Sequence, residues 1–453
     1  MAILEVLPTD TPNTGRLVWN TNDRELQQQL RALAINARSA PYNAQGNGRA
    51  DDRGPIQAAI DACADAGGGY VYLPTGEYLI ASGSLLLRDG VNILGAGMYK
   101  TTLKLGPGVN RPVITDASVG RAGAYAFGTV RLTDFGIDGN RAENPQGQEG
   151  IWSTAYYSTF ERLYIRECRT HGLRIGFAEL ANVAAQTTVS SCRIAHCGDT
   201  GVYLDIKSVD HTLSQNYIHN CTYGIVIRNG GVRVVNNDLF GHAIAAIQVT
   251  QTAYQVLIIA NDINAVRRNA IHISRTNVAG TGPWSQMLVA NNAILGDELE
   301  ADNLYDAIYV ETSVPHGIAN LTLNSNHIYT LGGTNRFRYG INLETNVVHS
   351  VCSANAVYNA GTASYHVGPT CSQIVIDRLG SGILEPPAMP PSGVELTNPY
   401  HAPVTVYITG GNVSSITVGG QSTGITIGAV RLPAGQKLSL TYTDAPTWVW
   451  IAD

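Results

Sequence analysis

Six copies of one short motif dominate the middle of this chain: Asn216-Tyr217-Ile218, Asn237-Asp238-Leu239, Asn261-Asp262-Ile263, Asn292-Ala293-Ile294, Asn326-His327-Ile328 and Asn355-Ala356-Val357. A second motif, a small residue leading an alternating strand, runs beside the first. It reads Gly201-Val202-Tyr203-Leu204, Gly224-Ile225-Val226-Ile227, Ala246-Ile247-Gln248-Val249, Ala270-Ile271-His272-Ile273, Ala307-Ile308-Tyr309-Val310 and Gly340-Ile341-Asn342-Leu343. Successive asparagines lie 21, 24, 31, 34 and 29 residues apart. The basal period is therefore ~21–24 residues, a length at which stacked units bury their apolar faces against one another. Period-2 alternation in both motifs predicts strands.

Other repeat folds fail on the same residues. Leucine-rich repeats need several fixed Leu per unit, whereas these units are rich in Ile, Val and Asn. Propeller blades are about 40 residues or longer. Asn at a tight bend tolerates a left-handed backbone, and stacked Asn side chains bond from coil to coil. The predicted fold is all-β: a right-handed parallel β-helix with an N-terminal capping helix and a small C-terminal β-sandwich or barrel. A solenoid grows in one dimension, which lets a chain of 453 residues that is 44% hydrophobic escape the size limit of one globular core. Cys168, Cys192 and Cys221 fit its interior as small apolar residues.

The organisation follows. Residues 1–44 are a lead-in, with Leu26, Leu30, Leu33 and Ala37 striping a helix over 22–38. Residues 45–385 are the solenoid, with the cap at 45–105 and the coils at 106–385. Residues 386–392 are a Pro-rich linker and 393–453 a C-terminal β domain. In the cap, Asp51-Asp52 supplies an N-cap for a helix carrying Ile56, Ala59, Ile60 and Cys63 on one stripe. Gly67-Gly68-Gly69 ends that helix, and Tyr70-Val71-Tyr72-Leu73-Pro74-Thr75-Gly76-Glu77-Tyr78 opens the first strands. This stretch resembles the first segment of the pectate-lyase-like β-helix superfamily, which many phage tailspikes share. The resemblance spans residues 45–385 and implies a fold whose open end is covered by a helix.

That resemblance also implies activities to test against residues. Polygalacturonase-like hydrolases carry Gly-His-Gly, and this chain offers Gly241-His242-Ala243. Alginate epimerases carry Tyr-Gly-Phe-Asp-Pro-His, and the corresponding place here reads His171-Gly172-Leu173-Arg174-Ile175-Gly176. Asp138-Gly139-Asn140-Arg141 is similar to an early-coil stretch of those epimerases. Calcium pectate lyases use clustered Asp with Arg or Lys, and only four Lys exist here. None of the three site motifs is matched residue by residue.

Aligning the second motif builds an outward face, since parallel coils stack ~4.8 Å apart. One column reads Trp152, Arg174, Tyr203, Val226, Gln248, His272, Tyr309, Asn342. The next reads Thr154, Gly176, Asp205, Arg228, Thr250, Ser274, Glu311, Glu344. Rings, amides and carboxylates in such a row suit a glycan, and 22 Tyr against six Phe point the same way. Glu311 and Glu344 on adjacent coils form the carboxylate pair that glycoside hydrolysis needs, and crowding is expected to raise one pKa. The bland alternative is a solvated acidic ladder. Asp205 joins them as a third candidate catalytic residue, paired with Arg228. Tyr203, Arg228, Gln248, His272, Tyr309, Asn342 and Trp284 are the expected substrate contacts. Loops 276–285 and 295–306 wall the groove. The second carries Asp297, Glu298, Glu300, Asp302 and Asp306 without the spacing of a calcium loop, so no metal and no cofactor is expected.

A net charge of −6 without basic clusters gives nucleic acid no footprint. No apolar run of 18 residues spans a membrane, and the N-terminus shows no secretory signal. The reading is a phage tailspike or related receptor-binding protein in the virion tail. It is expected to be a homotrimer that meets other tail proteins through its N-terminus and binds and hydrolyses a bacterial surface polysaccharide. The rivals are a non-catalytic adhesin or structural fibre, and a polysaccharide lyase or epimerase.

Overall fold

The computed structural model describes residues 34–276, 284–331, 335–376, 383–384, 386–400 and 402–452. Contacts divide the chain into two units, 1–199 and 200–453. In each, one coil contributes a strand to each of three parallel sheets. In the first unit Thr159–Glu161, Tyr164–Arg166 and Leu173–Ile175 make one such coil. In the second, Leu257–Ile259, Asp262–Asn264 and Asn269–Arg275 make another. A single corner residue, φ 48° at Arg162 followed by Leu163, or φ 56° at Ala260 followed by Asn261, turns the chain from the first sheet into the second.

The second motif supplies the third sheet and its core. Ile225 pairs with Ile247, Ile247 with Ile271, Ile271 with Ile308 and Ile308 with Ile341, all completely buried. Each such side chain contributes on the order of 1.5–3 kcal/mol on burial. The asparagines do bond from coil to coil. The Nδ2 of Asn216, Asn237, Asn261, Asn292 and Asn326 each donates to the Oδ1 of the next, at 2.9–3.0 Å. The left-handed residue is not the asparagine, however. It is the one before it: Gln215, Asn236, Ala260, Asn291, Ser325 and Ala354 have φ of 53–58°. The ladder asparagine points inward because its predecessor has already turned the chain.

The cap helix is Arg53–Asp65, with Ile56, Gln57, Ala59, Ile60 and Cys63 buried. Asp52 holds the N-cap position but makes no side-chain cap bond. Its carboxylate instead accepts from the N–H groups of Gln45 at 2.6 Å and Gly46 at 2.9 Å, and Asp51 Oδ1 accepts from Arg53 N–H at 3.1 Å. Gly68 has φ 99°, and a Cβ there would stand 2.7 Å from the Gly90 carbonyl oxygen, so the close approach requires glycine. The helix expected over 22–38 lies mostly outside the described residues, and its end differs. Ile35–Asn36 is a strand paired with Val71 and Tyr72.

The C-terminal residues form two four-stranded antiparallel sheets. One contains Ile383–Leu384, Thr447–Ala452, Val404–Thr409 and Gly428–Leu432, and the other Glu395–Thr397, Lys437–Asp444, Asn412–Val418 and Gln421–Ser422. Val404, Val406, Ile408, Ile416, Leu432, Leu438, Leu440 and Trp450 fill the space between them. Three hydrogen bonds tie the proline-rich stretch to this body: Trp448 Nε1 donates to Pro387 O at 3.2 Å, the Tyr442 hydroxyl to Pro390 O at 2.6 Å and the Tyr442 N–H to Ser392 Oγ at 2.8 Å. All seven cysteines are buried free thiols.

Candidate functional site

The outward columns have the expected register. Tyr203 pairs with Val226, Val226 with Gln248, Gln248 with His272, His272 with Tyr309 and Tyr309 with Asn342. Thr250 pairs with Ser274 and Ser274 with Glu311. The Glu344 N–H donates to Val310 O at 2.8 Å, which sets Glu344 on the coil beside Glu311.

Within the second unit these columns hold one connected cluster. His272 Nε2 lies 3.1 Å from Glu311 Oε1, and the Tyr309 hydroxyl donates to Glu311 Oε2 at 3.0 Å. The rings of His272 and Tyr309 are 5.1 Å apart, tilted by 32°. Asn342 Nδ2 donates to Glu344 Oε2 at 2.9 Å and to Asp306 Oδ2 at 2.8 Å. Arg338 grips Asp306 through two bonds, 3.0 and 2.7 Å. His366, stacked on Tyr339 at 4.8 Å, brings Nε2 to 4.0 Å from Glu344.

The electrostatics differ from expectation at Glu311. Its pKa is lowered, first by the hydrogen bond from His272 and also by that from Tyr309, against partial burial. Burial and the neighbouring charges of Glu311, Glu344 and Asp306 hold the Tyr309 phenol well above its ordinary value. The cluster thus pairs an ionised carboxylate with a neutral phenol, because its donors outweigh carboxylate crowding.

Burial separates the remaining candidates. Asp205 is completely buried and bonded to Arg228 Nη1 at 2.8 Å, which also donates to the Tyr203 hydroxyl at 2.7 Å. Asn342 is completely buried too, and Val226 is 6% exposed, so the outward column is partly roofed. Trp284 opens Trp284–Ala290 in the first sheet, not the third, with Ala319 as register partner. The acidic loop is neutralised by arginines from other coils: Glu300 pairs with Arg268, Asp302 with Arg336 and Asp306 with Arg338. Asp297 accepts from the Ala265 N–H at 2.7 Å. No group of His, Cys, Asp or Glu among the described residues has the geometry of a metal site.

In the first unit the outward residues of the corresponding strands Ile151–Ser153 and Leu173–Ile175 cover one another. The Arg174 guanidinium covers the Trp152 ring at 4.0 Å and reaches Glu149 at 3.5 Å, whose pKa burial raises. Asp134 and Asp138 pair with Arg162 and Arg166 at 2.7 and 2.9 Å. Sequence reasoning missed Asp306, Arg338 and His366 in the cluster. Asp306 and Arg338 lie just before the second motif, and His366 belongs to a coil whose motif is degenerate, Ala363–Val367.

Comparison with known proteins gives the fold and a set of relatives. Residues 113–263 match the family described as "Right handed beta helix region". Mannuronan C5-epimerase AlgE4 of Azotobacter vinelandii is 38% identical over 146 residues, 29% of this chain and 26% of that protein. Alginate lyase 7 of the same organism is 37% identical over 144 residues, 28% of this chain and 16% of that protein. Such matches span about a quarter or less of the relatives' length. Among solved structures, the Dettilon tailspike protein aligns with TM-score 0.55 and 12% identity, covering 92% of this chain and 94% of that one. The fold is a right-handed parallel β-helix, and no helix among the described residues is long and apolar enough to cross a membrane.

Proposed function

We propose that this right-handed parallel β-helix is a phage tailspike or related receptor-binding protein that binds and hydrolyses a bacterial surface polysaccharide. The observation that carries the reading is the hydrogen-bonded row of His272, Tyr309 and Glu311 beside Asn342 and Glu344 on one strand column. Similarity to a tailspike of nearly equal length and to polysaccharide-modifying enzymes supports it. Glu311, kept ionised, is either the nucleophile at the glycosidic carbon or the general base that takes a proton from the water attacking that carbon. Glu344 stands on the adjacent coil as the second carboxyl group of the pair, the candidate general acid for the leaving oxygen, and water supplies the hydroxyl that ends on the cleaved sugar. Asp205 acts at a distance by fixing Arg228, while Tyr203, Gln248 and Tyr309 offer rings and an amide to the sugar. The working form is a homotrimer in the virion tail, joined to other tail proteins through the N-terminus.

A second reading, β-elimination or epimerisation, draws on the neutral Tyr309 phenol beside the His272 ring and on the likeness to an alginate lyase. Incubation with capsule or lipopolysaccharide from candidate hosts tests both. Shortened saturated oligosaccharides support hydrolysis, and products with near-ultraviolet absorption overturn it in favour of elimination. Intact glycan retained on the protein reduces the site to a receptor.

A further inference from the structure

The first unit carries a depression that the repeat does not account for. It is lined by Tyr125, Ala126, Tyr156, Tyr157, Asn182, Val183 and Ala185 and encloses about 350 Å³. Its walls come from three loops that follow successive third-sheet strands, Ile114–Thr115, Ile151–Ser153 and Leu173–Ile175. Backbone bonds lock those loops together. Gly123 N–H donates to Glu179 O at 2.8 Å, Ala181 N–H to Ala124 O at 2.9 Å and Tyr157 N–H to Ala185 O at 3.0 Å. The Ala126 N–H donates to Asn182 Oδ1 at 2.6 Å, and the Asn182 carboxamide nitrogen has no partner among the described residues.

The tyrosine rings of the depression stand open to solvent. Tyr125 is 73% exposed and Tyr157 64%, so an apolar ring face and a polar hydroxyl are both open to a ligand. Tyr157 takes the left-handed corner position that recurs at Gln186, Asp210 and Gln255, with φ 51°, and its ring lies edge-on to Tyr156 at 5.3 Å. No lining side chain carries a charge. An anionic sugar placed there would lose water without gaining a cation, whereas an uncharged ring loses only hydroxyl hydration that amides and phenols restore. The volume lies at the small end of ligand pockets, ~300–1,000 Å³.

We propose that Tyr125, Tyr156, Tyr157 and Asn182 form a binding subsite for an uncharged glycosyl unit, which stacks its CH face on a tyrosine ring and hydrogen-bonds the Asn182 amide. The inference rests on the reading of the chain as a glycan-binding protein, and it narrows the substrate to glycans with a neutral sugar in the repeat. The test is affinity electrophoresis of the full chain in gels containing dextran, galactomannan or mixed-linkage β-glucan, with alginate as the polyuronate. At least one neutral gel is expected to retard the wild type. Tyr125→Ala, and Tyr157→Asn, which keeps a residue tolerant of the left-handed backbone, are each expected to weaken that retardation at least tenfold without shifting the melting temperature. If Tyr157→Asn melts early, Tyr125→Ala decides alone, because its ring lies mostly in solvent. Retardation by alginate only, or neutral retardation undiminished in the variants, overturns the subsite and leaves glycan binding standing. Wild-type mobility unchanged in every gel overturns the subsite and tells against the wider reading as well.

Discussion

At Glu311 the protonation state is governed by two donors rather than by the nearest carboxylate. His272 is the larger influence and Tyr309 the lesser, and together they hold the group below its ordinary 4.5. Glu311→Gln and Glu344→Gln are each expected to abolish cleavage, measured as reducing ends released from the host glycan. The melting temperature should stay close to the wild-type value, since both groups are half-buried and the isosteric amide keeps their shape and part of their hydrogen bonding. The sign of the pH effect follows from the same contacts. A depressed pKa keeps the carboxylate charged down to low pH, so activity declines only as pH falls through that lowered value. Removing the His272 bond in His272→Gln lets the pKa rise toward 4.5. The acid limb of kcat/KM against pH is therefore expected to move to higher pH, and an unmoved limb would assign it to another group.

Individual strands owe their order to buried polar rungs as much as to aliphatic stacking. In the asparagine ladder Asn261 Oδ1 accepts from both the N–H and the Nδ2 of Asn237, and its own Nδ2 donates to Val234 O and to Asn292 Oδ1. Asn261→Ala removes the acceptor of the buried Asn237 N–H and the side-chain donor to Val234 O on that same coil, at an expected cost of ~2–4 kcal/mol in denaturant unfolding. Asn355→Ala should cost less, because Asn355 is only half-buried and water can replace part of its bonding. His242, in the turn after Asp238–Phe240, adds a pH term of its own. Complete burial lowers its pKa from 6.5 to about 4. The unfolded chain then binds a proton below pH 6.5 that the folded chain refuses until about 4, so stability falls as pH drops through that window. The integrated loss is about 3 kcal/mol at ~1.4 kcal/mol per pK unit. Thermal melts of His242→Asn between pH 7 and 4 should show a flatter decline than the wild type.

For the whole molecule the proposal is assembly in threes. The outer side of one C-terminal sheet carries Tyr407 opposite Val449, 44% and 40% exposed, an apolar pair that closed three-fold symmetry would cover. Light scattering at micromolar concentration is expected to give about three times the chain mass of 48.3 kDa. A clean monomer at that concentration would remove trimerisation from the reading. Tyr407→Glu together with Val449→Lys should lower the mass toward the monomer, provided this pair lies in the interface.

Much of the architecture was legible from residues alone because a parallel ladder matches coil to coil one residue at a time. Once the repeats were aligned on Asn and on the small residue before each third-sheet strand, the partners of His272, Tyr309 and Asn342 followed without coordinates. Backbone geometry at the corners did not follow, since any residue type can be forced into the left-handed position once its successor's amide satisfies the next coil. Burial on the outward face did not follow either. Whether Asp205 or Asn342 meets solvent depends on loops and on arginines from other coils, whose lengths and paths obey no period. The tyrosine-lined depression belongs to this second class. Tyr125, Tyr157 and Asn182 are separated by about one coil each, and only the tertiary path of three unequal loops brings their side chains to one place. Periodic contacts are written in the sequence because each repeat states them again; contacts among insertions are stated once, and folding alone decides them.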